Sequence, residues 1–252
     1  MFVVCFAVKS SKISALRLEV SVKVMTISAK ELAGRIDHTL LNATATSEDI
    51  KRLCAEAREY GFFAVSINPR WVGLAADELT GSGVKVDGVV SLPLGADSTK
   101  MKVAQAHDLI FAGADEVDMV ADLAAIIEGD QKYLRGQLTA VLKVCRAMRP
   151  GVVLKVIIES AALTDEQKRF VCGIANNVGV DFVKTSTGMH PAGGATVEDV
   201  RLMKGSAPNC KVKAAGGIRT ARQVMEFLEA GAERIGTSSG AAIIEEVRQG
   251  KV

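Results

Sequence analysis

Aromatic residues are scarce: they make up 4% of the 252 residues, with one Trp and two Tyr. A nucleic-acid binder stacks bases on several such rings, so the lone Trp71 is read as packing. Excess positive charge is missing too. The 31 Lys and Arg face 29 Asp and Glu, a formal net charge of +2. That excludes the basic stripe of a nucleic-acid partner and any polybasic or polyacidic tail. No apolar run approaches the roughly 20 residues that cross a bilayer, so no membrane is expected. The N-terminal MFVVCFAVKSSK is apolar for eight residues but lacks a basic n-region and a small-x-small cleavage site, which argues against a signal peptide.

Cysteines number five, at positions 5, 54, 145, 172 and 210, and no two form a CxxC. This odd set suits a reducing cytoplasm, and Cys145 and Cys172 fall on apolar helical positions, where core packing is expected. His38, His107 and His190 are scattered, so neither a zinc site nor any other metal is expected. His38 and His107 read as structural. Asp37-His38 is no hydrolase pair, because the chain has no GxSxG elbow.

Hydrophobic residues at 48% and charged residues at 24% fit a folded domain with an ample core. Residues 1–24 show neither a helical nor a strand period. They are expected to be an N-terminal extension, either disordered or a start-site artefact. Met25 opens an ordinary domain start, MTISAKELAGRID.

From there one pattern recurs: a helical stretch, a glycine, then a short β-branched run. It is clearest in GADEVDMV (113–120), GVDFVKT (179–185) and GAERIGT (231–237). Glycine supplies the left-handed helix end, and the apolar run fits a strand buried on both faces. Eight strands are expected near 38–41, 63–67, 86–91, 116–120, 153–158, 182–185, 211–214 and 234–236. Between them, Ile50, Leu53, Cys54 and Ala57 follow helical spacing, as do Val171, Ile174, Ala175 and Val178. Thr164 with Gln167, and Thr46 with Asp49, read as helix-capping pairs. No linker divides the chain. The reading is a single-domain α/β fold, a (β/α)8 TIM barrel over residues 25–252. An open doubly wound sheet is the alternative, but no strand leads into GxGxxG.

Such barrels carry their chemistry where strands end. Charges inside apolar strands are costly to bury unless paired or facing a wet cavity. Four stand out: Asp118 in EVDMV, Lys155 in LKVII, Lys184 in FVKTS and Lys213 in KVKAA. Lys155, placed at the start of its strand, is read as part of a structural ion-pair network. Lys184 and Lys213 sit on adjacent strands at the loop-bearing end. Two neighbouring ammonium groups destabilise each other, and the one that loses its proton is the nucleophile a Schiff base needs. Asp118 is placed to pair with them and move protons. Asp37 is either catalytic support or a lysine's partner. Two glycine junctions, around Gly216-Gly217 and from Gly236 through Ser238, Ser239 and Gly240, follow the seventh and eighth strands. Backbone N–H groups there suit an anionic ligand such as a phosphate. Gly193-Gly194 is a further candidate strip.

At these residues the sequence resembles deoxyribose-phosphate aldolases. The matching segments are IDHTLL (36–41), GADEVDMV, LKVIIE (154–159), DFVKTSTG (181–188), VKAAGGIR (212–219) and GTSS (236–239). The resemblance spans about residues 30–245. It implies a metal-free, cofactor-free class I aldolase on a (β/α)8 barrel. Such an enzyme cleaves 2-deoxyribose 5-phosphate to glyceraldehyde 3-phosphate and acetaldehyde. Lys184 would then form the Schiff base, and Asp118 and Lys213 would relay protons. Gly188, Gly216, Gly217, Gly236, Ser238 and Ser239 would hold the phosphate, and Asp37 and Lys155 would support the site.

The chain departs from the family at Ser66, where Cys is frequent, and at Leu92 and Met189, where Phe is common. Gln105 replaces a common Glu. These changes bear on pocket shape. The expected partner is a phosphosugar, and the expected assembly a homo-oligomer, dimer or tetramer. Other Schiff-base aldolases, transaldolase-like or acting on keto acids, keep Lys184 with a different donor. A non-catalytic sugar-phosphate sensor would need the phosphate cradle alone.

Overall fold

The computed structural model describes residues 27–250. The expected extension over residues 1–24 lies outside them. Eight parallel strands close into a barrel, each hydrogen-bonded to its sequence neighbour and β8 to β1. They are β1 (Ile36–Leu40), β2 (Ala64–Ile67), β3 (Lys85–Val90), β4 (Glu116–Val120), β5 (Val153–Ile157), β6 (Phe182–Lys184), β7 (Lys211–Ala215) and β8 (Arg234–Thr237). The main outer helices are α1 (Ala29–Ala33), α2 (Ser47–Tyr60), α3 (Val72–Glu78), α4 (Thr99–Phe111), α5 (Leu123–Glu128) and α6 (Gln131–Met148). They continue with α7 (Asp165–Val178), α8 (Val197–Ser206), α9 (Ala221–Glu229) and α10 (Gly240–Arg248). The fold is a (β/α)8 TIM barrel.

Local sequence explains the elements. In α2 the Thr46 hydroxyl accepts from the Asp49 amide, and the Asp49 carboxylate accepts from the Thr46 amide. Thr164 and Gln167 do the same for α7. Gly61 and Gly179 end these helices in the left-handed region, at φ 72° and 83°. The stripe Ile50, Leu53, Cys54 and Ala57 is buried against the barrel. Each larger member contributes about 1.5–3 kcal/mol of burial, so Ile50→Asp would strip α2 from its seat.

Strand periodicity then sorts side chains inward and outward. In β1, Asp37 reaches the interior while His38 turns out onto Phe62, with ring centroids 4.8 Å apart, and meets Glu56 at 2.8 Å. β1 begins at Ile36, two residues before the start expected from the sequence, and this places Asp37 within the strand. Lys155 also differs from expectation. It is the third of five residues in β5 and pairs in register with Asp118, so it lies midway along the barrel. Cys145 and Cys172 are buried on α6 and α7. No helix among the described residues is long and apolar enough to cross a membrane.

Candidate active site

Asp118, fully buried on β4, accepts from three lysines. Its Oδ2 receives Lys184 Nζ at 2.6 Å and Lys213 Nζ at 2.7 Å, and its Oδ1 receives Lys155 Nζ at 2.7 Å. The barrel register produces this convergence, since Lys184 pairs with Lys213 and Asp118 with Lys155. Lys213 also meets Asp37 Oδ2 at 2.5 Å and Asp87 Oδ2 at 3.0 Å. Lys155 also meets Glu116 Oε2 at 2.7 Å and Asp87 Oδ1 at 3.0 Å. Arg234 completes the cluster, 2.8 Å from Asp37 Oδ1 and 2.9 Å from Glu116 Oε2.

The signs are segregated. All four carboxylates, Asp37, Asp87, Glu116 and Asp118, come from β1 to β4, and all four cations, Lys155, Lys184, Lys213 and Arg234, from β5 to β8.

The three lysines differ in their protonation because they differ in partners. Burial pulls the Lys184 ammonium below its ordinary value. Asp118 opposes that pull, and the neighbouring Lys213 adds to it. Lys213 is also disfavoured by burial, but Asp118, Asp37 and Asp87 together push it above its ordinary value. Lys155 is held up in the same way, chiefly by Asp118 and Asp87. Burial would raise Asp118, but the three lysines hold it well below the carboxylate range. Burial likewise opposes ionisation of Asp37, yet Lys213, Arg234 and Lys155 bring it down to about 2. Lys184 is thus the lysine of the cluster most easily made a neutral amine. Burial contributes most to this, and the second lysine, the cause expected from the sequence, adds less.

A cavity of about 360 Å³ opens at the loop end of the barrel, and Lys184 is the one lysine of its wall. Asp118, Lys155 and Lys213 lie below it, with no measurable exposure. Gly188, Gly216, Gly217, Gly236 and Ser238 line the same wall. Gly216 and Gly217 adopt φ 92° and 79°, turning the backbone at the end of β7 in a way that side-chain-bearing residues avoid. Ser239 stands apart from the wall. It precedes α10, and its amide donates to Thr237 Oγ1 at 2.9 Å. Gly194 lies behind the wall, where a Cβ would come 2.2 Å from the Gly216 carbonyl oxygen. The Gly193-Gly194 strip therefore props the Gly216 turn. Met189 and Arg219 add to the rim. A larger cavity of about 520 Å³ lies at the opposite end, beside Arg35, Phe63 and Lys211. Its wall has no free nucleophile poised by buried partners, so the chemistry belongs to the smaller one.

Sequence reasoning passed over Asp87, Glu116 and Arg234, although the signal that singled out Asp118 was present. Asp87 is a charge inside KVDGVV, and Arg234 a charge at the head of RIGT. Glu159 received no role either. It is fully buried at φ 54° and accepts from Thr187 Oγ1 at 2.6 Å and from the Thr187 amide. It thereby ties down the loop that carries Gly188.

The DeoC/LacD family of aldolases matches residues 32–246. The chain belongs to that family. Among DeoC/LacD relatives, the deoxyribose-phosphate aldolase of Thermococcus kodakarensis is 50% identical over 222 residues, 87% of this chain and 98% of the relative. That of Dictyoglomus turgidum is 48% identical, over 85% of this chain and 96% of the relative. A solved tetrameric deoxyribose phosphate aldolase from Aeropyrum pernix superposes with a TM-score of 0.82 at 32% identity, covering 88% of this chain and 92% of that one.

Proposed function

We propose that this DeoC/LacD aldolase is a class I, Schiff-base lyase in which Lys184 forms the imine. The enzyme reversibly cleaves 2-deoxy-D-ribose 5-phosphate to D-glyceraldehyde 3-phosphate and acetaldehyde. The observation that carries this reading is the position of Lys184: it alone of the buried lysines reaches the cavity, and its one carboxylate partner is shared. The family match and the names of the relatives supply the substrate class.

The chemistry follows from carbanion energetics. Neutral Lys184 attacks C1 of the open-chain aldehyde, and loss of water gives an iminium. The C3 hydroxyl gives up its proton as the C2–C3 bond breaks. The bonding pair moves to C2 and into the iminium, leaving an enamine and releasing glyceraldehyde 3-phosphate. Protonation of C2 and hydrolysis of the imine then release acetaldehyde and restore the lysine. Asp118 and Lys213, joined at 2.7 Å below Lys184, supply and take up these protons, with water reaching the substrate from the cavity. Asp37 and Lys155 hold that pair in place. Gly188, Gly216, Gly217, Gly236 and Ser238 bind the phosphate, which sets C1 over the lysine. Lysine is itself the electron sink, so the reaction calls for no cofactor and no metal. The enzyme works in the cytoplasm on deoxyribose phosphate as a homo-oligomer, dimer or tetramer.

Acetaldehyde with borohydride tests the reading. Reduction is expected to add one ethyl group, mapped to the peptide containing DFVKTSTG. An adduct on the peptide of Lys213 would overturn it, and a preference for a keto-acid donor would overturn the substrate.

A further inference from the structure

Asp87 stands in the middle of the ionic cluster yet touches neither Lys184 nor the cavity. Its two oxygens divide between Lys213 and Lys155, each at 3.0 Å, and it has no exposed surface. With Lys184 protonated, the four cations and four carboxylates cancel. When Lys184 becomes an amine, the cluster carries one surplus negative charge in a dry interior, where such charge is expensive.

We propose that Asp87 is a positioning residue that sets the pH at which Lys184 becomes a nucleophile, acting through Lys213 and Asp118. The proposal rests on Lys184 as the imine-forming residue. Seven charged groups share the buried cluster with Lys184, from every strand of the barrel but β2 and its own β6. Asp118 and Glu116 come from β4, Lys155 from β5, Lys213 from β7, Arg234 from β8, Asp37 from β1 and Asp87 from β3. Three carboxylates are firmly committed. Asp118 serves three lysines, Asp37 bridges Lys213 and Arg234, and Glu116 bridges Lys155 and Arg234.

Asp87 meets lysines alone, both already shared with Asp118, and burial followed by repulsion from Asp118 pushes it up to about 6. It is therefore the weakest-held negative charge, and the one whose removal costs the cluster least. While ionised it favours the ammonium form of Lys184. Taking that charge away leaves the interior neutral once Lys184 loses its proton, so the amine forms at lower pH.

The test follows acetaldehyde trapping by cyanoborohydride across pH in wild type, Asp87→Asn and Asp87→Glu, with circular dichroism as a check on folding. Asp87→Asn is expected to move the acid limb to lower pH by about half a unit or more, about threefold in rate on that limb. Asp87→Glu keeps the charge and is expected to keep the wild-type limb. A folded Asp87→Asn with an unmoved limb, or with no trapping at all, overturns the proposal, as does an Asp87→Glu limb that moves equally. If Asn does not fold, Asp87→Ser is read in the same way. Loss of fold in both overturns the proposal and leaves Asp87 as a strut. Trapping at Lys184 in wild type separately decides the reading on which the proposal rests.

Discussion

Lys213 threads past Gly236 so closely that a Cβ there would stand 3.2 Å from Lys213 Cε. The glycine on β8 leaves the lysine stem just enough room to bring its ammonium to Asp118. A branched, planar guanidinium at this position would lack that room, and it holds its protons more tightly than an ammonium does. Lys213→Arg is therefore expected to lower kcat by about two to four orders of magnitude, the usual contribution of general acid–base catalysis. Slow imine trapping at Lys184 should persist. The check is turnover and trapping on the same preparation, and near-normal turnover would mean that Lys213 acts through its charge alone.

Glu159 leads to a different expectation, because it touches the loop and not the reacting carbons. Its carboxylate holds Thr187 by hydroxyl and amide, and Thr187 and Gly188 line the cavity. Glu159→Gln keeps the shape but weakens a charge-assisted hydrogen bond. The KM for deoxyribose 5-phosphate should rise about tenfold, which is ~1.4 kcal/mol, because the bond is weakened and not lost. The kcat should change less. Steady-state kinetics separate the two, and a fall in kcat with KM unmoved would place Glu159 in the proton chemistry instead.

Lys102 gives a pH-dependent stability. It is fully buried on α4, donating to the Val120 carbonyl at 2.8 Å and to Gln137 Oε1 at 2.9 Å. Burial pushes it down to about 8, from the 10.5 it has when unfolded. Between those values the unfolded chain binds the extra proton, so stability contributed by this residue rises with pH from about 8 to 10.5 and is lowest below 8. Lys102→Met removes the ionisation. The difference in urea midpoint between wild type and Lys102→Met should therefore move in favour of wild type as pH rises through that window. Parallel pH profiles of the two proteins would count against a buried ammonium at this site.

The barrel and much of its centre were legible in the sequence, for physical reasons that also mark where legibility ended. Gly61 and Gly179 announce helix ends because other residues avoid left-handed backbone, and the Thr164 capping pair announces a helix start. Asp118, Lys184 and Lys213 stood out as charges among apolar neighbours. Asp87 carries the same mark, but its neighbours Lys85 and Gly88 dilute the apolar run around it.

The place of Lys155 depends on register between β4 and β5, which sequence spacing does not specify until the barrel closes. Ser239 belongs, with Ser238, to the glycine junction after β8. Its amide turns back to Thr237, a local choice that composition does not reveal. Arg234 was visible as a charge at the head of β8, but its partners were not. Its guanidinium lies over the Phe63 ring at 3.4 Å, and Phe63 immediately precedes β2, far from Arg234 in the chain.

Segregation of charge between the two sets of strands gives the barrel a built-in choice of partner. A half comprising β1 to β4 alone would turn Asp37, Asp87, Glu116 and Asp118 toward one another, and a half comprising β5 to β8 would crowd Lys155, Lys184, Lys213 and Arg234. Two copies of the same half would repel at the centre, whereas unlike halves would neutralise each other. Severed between β4 and β5, the chain is thus suited to reassemble from its two fragments and to reject self-pairing of either. The polarity that poises one lysine for chemistry also makes each half the counter-ion of the other.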